Sequence, residues 1–258
     1  MLASIKISAA IITFNEEDNI ERSIKSVLPV VEEVIVIDSF SQDRTKELAE
    51  KLGARVIENP FDGHIEQKNF AVKQTSFDWV LSLDADEELS VKLQNSILEI
   101  KSYHLQEAYQ MNRLTSYCGH WVRHCGWYPD TKIRLWKKTV GHWGGTNPHD
   151  KVVLTTDKKV QKLRGDLLHY SYVNVSQHIR QMDKFSTIGA EEAFKKGKNA
   201  VPYIHSTVYP FWVFINTYFF KLGVLDGYFG FIICINGAFY KYLKYIKLLN
   251  LKKYNDKG

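Results

Sequence analysis

The sequence predicts an α/β fold: a mostly parallel sheet with helices on both faces. Three observations point there. Short β-rich apolar runs alternate with helically spaced apolar residues four times within the first ninety residues, the pattern of strands joined by crossover helices. Those runs end in polar residues, namely Thr13, Asn15 and Glu16, then Asp38, then Asp84 and Asp86, where ligands of such sheets bind. Finally, 258 residues with 45% hydrophobic content suffice for one large domain, or a domain with an appendage.

Each element has its own signal. Residues 6–13 form an apolar, β-rich run, and Ile20, Ile24, Val27 and Leu28 then recur at helical spacing before Pro29. Residues 34–37 read as a second strand closing on Asp38. Residues 43–52 read as a helix, with Gly53 placed to stop it, and 54–57 as a third strand. A helix over about 66–74 leads into the run from Trp79, which stops at Asp84-Ala85-Asp86-Glu87-Glu88. Glu87 and Glu88 suit the first turn of a helix reaching about Ile100. Strand-like, Trp-rich segments follow, and 174–195 returns to helical spacing with Ile179, Met182, Phe185, Ala193 and Phe194 on one face.

The net charge of +5 conceals an asymmetry. From Lys195 onward ten lysines face only Asp226 and Asp256, giving this tail +8 and the remainder −3. Fifteen of the 34 aromatics lie between Tyr203 and Tyr245. Aromatics interspersed with Lys on an apolar background fit the headgroup region of an anionic membrane better than nucleic acid. The stretch 222–243 is long enough to span a bilayer, but Asp226, Lys241 and four glycines argue instead for a helical hairpin lying in the interface. Three cysteines form no even disulfide framework, and the first apolar run carries no cleavage signature. The expected location is cytoplasmic, peripheral on the inner face of the cell membrane.

Two carboxylates one residue apart at a strand end, Asp84 and Asp86, should reach the same side of the sheet rim. That arrangement suits Mg²⁺ or Mn²⁺ completed by water and substrate phosphate. The turn after the first strand, Thr13-Phe14-Asn15-Glu16-Glu17, has no glycine to wrap a pyrophosphate, which disfavours dinucleotide-binding and phosphate-loop folds. A metal and basic side chains, Lys68 first, must then meet the phosphate charge.

The ordered motifs 10–16 (Ala-Ile-Ile-Thr-Phe-Asn-Glu), 37–45 (Ile-Asp-Ser-Phe-Ser-Gln-Asp-Arg-Thr), 67–71 (Gln-Lys-Asn-Phe-Ala) and 83–87 (Leu-Asp-Ala-Asp-Glu) resemble those of family 2 glycosyltransferases. Within that family the chain is similar to bacterial enzymes adding β-linked glucose to the inner-core heptose of lipopolysaccharide. Phe40 departs from the usual Gly, and a bulky residue restricts that turn. The resemblance implies a GT-A nucleotide-diphospho-sugar transferase fold with C-terminal aromatic and basic helices. It implies a donor half over 1–100, an acceptor half over 101–200 and a membrane-associating region over 201–258. It places Thr13, Asn15 and Glu16 at the nucleoside, Asp38 on the uracil ring, Lys68 at the diphosphate, Asp84 toward ribose and metal, and Asp86 on the metal. His169 enters as a further metal ligand or diphosphate contact. Asn69 is read as a brace for its loop.

The acceptor side is less legible. Cys118, His120, His124 and Cys125 match no usual zinc spacing and read as packing or substrate contacts. Trp127 and Tyr128 offer aromatic faces for sugar, and Lys132 and Arg134 offer cations for phosphorylated acceptors, whereas Trp136 is equally explained as strand core. His149 and Asp150 close a glycine-rich segment and resemble the His-Glu pair of related transferases. A general base must be an acid apart from the metal-bound pair and on the acceptor side. Asp150 fits best, with Asp130 next; Asp157 and Asp166 read as solvated loop acids. The expected activity is an inverting, metal-dependent transfer of a hexose, glucose foremost, from a UDP-sugar to a lipopolysaccharide core. A polyprenyl-phosphate or other glycolipid acceptor is the alternative. A non-catalytic nucleotide-sugar binder is the alternative of another class.

Overall fold

The computed structural model describes residues 4–103, 106–146, 149–155 and 159–255, with only the backbone of His149, Tyr254 and Asn255. Asp157 therefore lies outside the described residues. The order is β1 (Ile7–Thr13), α1 (Ile20–Val27), β2 (Glu33–Asp38), α2 (Thr45–Lys51), β3 (Arg55–Glu58), α3 (His64–Gln74) and β4 (Trp79–Asp84), as expected of alternating strands and helices. Then come β5 (Glu87–Leu89), α4 (Val91–Ser102), β6 (Ala108–Tyr117), β7 (His120–Trp121), β8 (Asp130–Lys137), β9 (Gly141–Thr146), β10 (His149–Leu154) and β11 (Val160–Tyr172). The helices α5 (Val175–Lys195), α6 (Tyr209–Ile215) and α7 (Gly227–Asn255) complete the chain.

Two compact units result, Met1–Arg113 with Asp130–His169, and Leu114–Pro129 with Tyr170–Gly258. Their boundaries fall inside β6 and β11 and not near residue 200. The main sheet runs β3-β2-β1-β4-β8-β6-β11-β5, with β7 beside β6. β1 pairs in parallel with β2 and β4, and β2 with β3. β8 then pairs antiparallel to β4 and to β6, and β11 antiparallel to β5. The sheet is thus mixed, which corrects the expectation of a mostly parallel one. Crossover helices enforce parallel pairing only up to β4; antiparallel strands need no crossover.

In the first unit, side chains alternate cleanly between two buried layers. Ile7, Ala9 and Ile11 of β1 meet Ile20, Ile24, Leu93 and Ile97 of α1 and α4 on one face. Ala10 and Ile12 meet Ala71 and Val72 of α3 and Trp143 and Val152 of the β9–β10 hairpin on the other. Each fully buried aliphatic side chain contributes about 1.5–3 kcal/mol. Gly53 ends α2 at φ +82°, the left-handed stop anticipated for it. Glu87 and Glu88 do not open a helix. They lie in β5, and Ser90 caps α4 by accepting from Leu93 N.

In the second unit, α7 packs against α5 and α6. Asn174 caps α5 through Gln177 N, and Lys247 of α7 donates to the Asp183 carboxylate (2.6 Å) and to the Ser186 and Thr187 hydroxyls on α5. His120 and His124 face the buried Asp226 at 3.6 and 3.0 Å, so these histidines anchor the start of α7. His178 is buried, with Nδ1 3.2 Å from the Tyr117 hydroxyl and 3.1 Å from Asn236 Nδ2. A neutral ring accepts at Nδ1 from Asn236, and burial pushes its pKa down to about 4. The unfolded chain takes up this proton first, as pH falls below about 6.5. Stability from this group is therefore complete above pH 6.5 and lost as pH falls to 4, by about 3 kcal/mol in all. Urea unfolding across that window should show the loss in the wild type and a shallower slope in His178→Asn.

Candidate active site

The carboxyl ends of β1 and β2 are zipped together before any ligand arrives. Thr13 lies in register with Asp38. The Asp38 carboxylate is buried and accepts from Ser41 N (2.8 Å) and Ser41 Oγ (2.5 Å), leaving one lone pair on each oxygen for a ring N–H. Asn15 adopts φ +53°, donates its backbone N–H to Ser41 Oγ and accepts from Gln42 N, so it holds the neighbouring loop. Glu16 accepts from Asn19, while its backbone N–H donates to Thr45 Oγ1. Among the described residues Thr13 Oγ1 is buried without a partner.

Phe40, the departure from the family pattern, sits at φ +62° with its ring half exposed. A left-handed conformation costs a non-glycine residue about 1–2 kcal/mol, which explains the glycine usual there. Phe40→Gly should raise stability by about 0.5–1 kcal/mol, since glycine's greater freedom when unfolded offsets part of the relief. The urea midpoint measures this; a lower midpoint would mean that the exposed ring makes stabilising contacts.

Helix α3 supplies three consecutive polar side chains with separate tasks. Gln67 is buried and bonds Asn59 and Ser39, tying α3 to the ends of β2 and β3. Asn69 braces, as expected, and its target is specific: Nδ2 donates to Trp143 O (2.8 Å) and Oδ1 accepts from Trp143 N (3.0 Å). Between them Lys68, almost fully buried, places Nζ 2.8 Å from Asp84 Oδ1 and 2.7 Å from Asp150 Oδ2. The Trp143 indole faces two cations, with Lys68 Nζ 4.4 Å and Arg134 Cζ 5.1 Å from the ring centre.

Asp84 and Asp86 meet different partners. β4 ends at Asp84, and Ala85 and Asp86 form the turn before β5, so strand alternation stops before it reaches Asp86. Asp84 meets Lys68 and, at 3.2 Å, Arg134 Nη2. Burial would raise its carboxyl, but Lys68 and then Arg134 outweigh this and hold it far below the usual carboxylate range. Arg134, expected among acceptor contacts, is buried on Glu87 Oε1 at 2.6 Å as well as on Asp84. Burial would lower its guanidinium, and Glu87 and Asp84 raise it.

Asp86 meets His169, Oδ2 to Nε2 at 3.2 Å, because the β5–β11 register sets His169 opposite Glu87 beside that turn. The carboxyl of Glu16 is pushed up, by burial first and, among charges, by Asp86 and Asp43. Acids crowded near a carboxylate–imidazole pair fit a divalent cation that takes its remaining ligands from phosphate and water. Among the described residues no group of three His, Cys, Asp or Glu side chains reaches metal-holding geometry.

A cavity of about 560 Å³ in the first unit is lined by Lys68, Asp84, Arg134, Trp143 and Asp150, and beyond them by side chains of β6, β8 and β10. Among the described residues, Arg134 Nε and Trp143 Nε1 are buried donors without an acceptor. Asp130 ion-pairs with Arg113 (2.8 Å) and Lys132 (3.0 Å). These cations overcome the effect of burial and lower its carboxyl, making Asp130 a poor proton acceptor. Trp127 and Tyr128 belong to the second unit. There Trp127 packs on Tyr117, Tyr172 and His178, and Tyr128 lies under Arg123. Trp136 is fully buried core. The side chain of His149 lies outside the described residues.

Sequence reasoning missed Glu87, Trp143 and Arg113. Glu87 reads in sequence as part of a helix start, and Trp143 immediately precedes the glycine-rich segment that begins at Gly144.

The pattern described as Glycosyl transferase family 2 matches residues 8–151, and the chain belongs to that family. It is 37% identical to an uncharacterised glycosyltransferase of Rickettsia typhi, across 97% of this chain and 89% of that protein. It is 25% identical to the lipopolysaccharide core biosynthesis glycosyltransferase LpsC of Rhizobium meliloti, across 96% of this chain and 93% of that one. Among solved structures it resembles glucosyl-3-phosphoglycerate synthase of Mycobacterium tuberculosis in complex with Mn²⁺, UDP and glucosyl-3-phosphoglycerate. That match has 19% identity over 76% of this chain and 81% of that one, with a TM-score of 0.48. The fold is GT-A-like, a mixed sheet with flanking helices.

Proposed function

We propose that the chain transfers a hexose, glucose foremost, from a UDP-sugar to a lipid-borne saccharide of the lipopolysaccharide core, with inversion at the anomeric carbon. The observation that carries the reading is Lys68 held between Asp84 at the end of β4 and Asp150 on β10, inside a cavity whose buried donors lack acceptors. A diphosphate would supply those acceptors and draw Lys68 from Asp150. The freed Asp150 carboxylate then takes the proton of an acceptor hydroxyl as its oxygen bonds to the anomeric carbon. The bond from that carbon to the diphosphate breaks on the opposite face, and UDP leaves with the electron pair. Lys68 and Arg134 face the charge that develops there. A divalent cation held by Asp86 and His169 would neutralise part of the diphosphate charge. LpsC, by its printed name a core biosynthesis enzyme, supports the acceptor class. Incubation with radiolabelled UDP-glucose and either truncated lipopolysaccharide or polyprenyl phosphate tests it. Label should enter the lipopolysaccharide; label in polyprenyl phosphate alone would reassign the acceptor, and none in either would remove the lipid acceptors.

A lipid-borne acceptor also fits the second unit. Tyr228, Phe231, Ile235, Phe239 and Tyr242 are exposed along one stripe of α7, and Phe211, Trp212, Phe219 and Phe220 are exposed in and after α6. Monomeric proteins rarely leave so much contiguous apolar surface uncovered. By length and composition the helix Gly223–Lys253 is apolar enough to cross a membrane, its most apolar 18 residues having a mean hydropathy of 1.3. Its packing on α5 and α6, and Lys241 and Lys244 along it, favour lying in the interface of the inner leaflet. Anionic liposomes should float the protein at low salt, and added salt should weaken binding, as each Lys contributes about 1 kcal/mol at such a surface. Phe219→Ser with Phe220→Ser should release it; a protein that never floats would refute this docking.

A further inference from the structure

The cavity holds more positive charge than the donor chemistry uses. Five cations line it, namely Lys68, Arg113, Lys132, Arg134 and Lys151. Four carboxylates meet them. Lys68 is matched by Asp84 and Asp150, and Arg134 by Glu87 and Asp84. Arg113 and Lys132, however, share the single carboxylate of Asp130, with Arg113 only 3.6 Å from the already committed Glu87. Lys151 is exposed and has no ionic partner among the described residues. The surplus charge thus falls on the wall made by β6, β8 and β10, where Gln110 and Thr131 add hydrogen-bonding groups.

Strand order separates this wall from the nucleotide. Asp38 ends β2, Thr13 ends β1 and Asp84 ends β4; Lys132 lies on β8 and Arg113 on β6, the next two strands beyond β4. At about 4.8 Å per strand, the backbone of Arg113 stands roughly 10 Å past that of Asp84, on the side away from the nucleoside motifs, while its guanidinium reaches back to within 3.6 Å of Glu87. A diphosphate seated at Lys68, Asp84 and Arg134 would leave Lys132 and Lys151 on this wall for a second anion.

We propose that the acceptor saccharide carries an anionic group, a phosphate or a carboxylate, which is read by Arg113, Lys132 and Lys151. This rests on the transferase reading of the same cavity and names the class of acceptor it takes. A planar guanidinium and two ammonium groups around one oxyanion, with Thr131 and Gln110 to complete the hydrogen bonds, discriminate against a neutral sugar. The anion also fixes which end of the acceptor faces Asp150.

Ligand-observed NMR titration of the full chain tests this with glucose, glucose 6-phosphate and glucuronate as probes, each with and without saturating UDP and Mn²⁺. Glucose 6-phosphate, glucuronate or both should bind at least tenfold more tightly than glucose, and the stronger of the two identifies the anion. Lys132→Ala with Lys151→Ala should reduce that preference to under threefold, with the folded state of the variant verified by its unchanged binding of UDP. Equal binding of all three probes, or a preference that survives the double substitution, would overturn the proposal. Failure of UDP to bind would remove the transferase reading instead, and the probe series without UDP still decides whether the wall selects anions.

Discussion

Asp150→Asn should bind UDP-glucose as the wild type does and transfer it 10²–10⁴-fold more slowly, the usual cost of removing a general base. The same ion pair offers a competing account in which Asp150 merely holds Lys68, 2.7 Å away, in place. The two differ in their pH profiles. A lost base abolishes the acidic limb of the rate profile, whereas a misplaced Lys68 weakens donor binding and leaves the limb intact. Asp130→Asn supplies the comparison. Its carboxylate is already committed to Arg113 and Lys132, so its loss should alter acceptor binding and spare the acidic limb.

Glu87→Ala should cost about 3–5 kcal/mol of stability, the range for removing one partner of a buried ion pair. Its side chain is fully buried and carries Arg134 at 2.6 Å, and it also accepts from the backbone N–H of Asp84. Without it the buried guanidinium retains one ion pair among the described residues, with Asp84 at 3.2 Å. Replacing both partners, Glu87→Leu with Arg134→Met, should recover much of the loss, because two apolar groups leave no charge unpaired. That double variant should stay inactive, since Asp84 and the diphosphate both lose their guanidinium. Urea unfolding gives the stability and a transfer assay the activity; an active double variant would show that Arg134 only fills space.

The donor half was legible because its signals are local. A β-rich run, a helical repeat and a polar strand end are each contained in a dozen residues, and β1 to β4 follow them closely. Lys68 was identified for its charge, and Asp150 for closing a glycine-rich segment, but nothing in the spacing of residues 68 and 150 announces that they meet. That contact depends on the β9–β10 hairpin packing on α3, a long-range event. The separate partners of Asp84 and Asp86 were hidden for a related reason: period-two alternation holds only within a strand, and β4 ends two residues before Asp86. Glu87 reads as helix-favouring in sequence, and its burial follows from β5 pairing with β11, some eighty residues away. Trp127 likewise carries an aromatic face suited to sugars, and the fold spends that face on Tyr117, Tyr172 and His178.

The central claim is that a UDP-sugar binds through a cation held at Asp86 and His169 and through Lys68. Calorimetric titration of UDP into the protein, with Mn²⁺ and then with EDTA, measures it most directly. Binding should be clear with Mn²⁺ and at least tenfold weaker in EDTA, in Asp86→Ala and in Lys68→Ala. UDP affinity that is the same in EDTA as in Mn²⁺, and unchanged by Asp86→Ala, would contradict the metal assignment; no binding under any condition would contradict the nucleotide-sugar site itself.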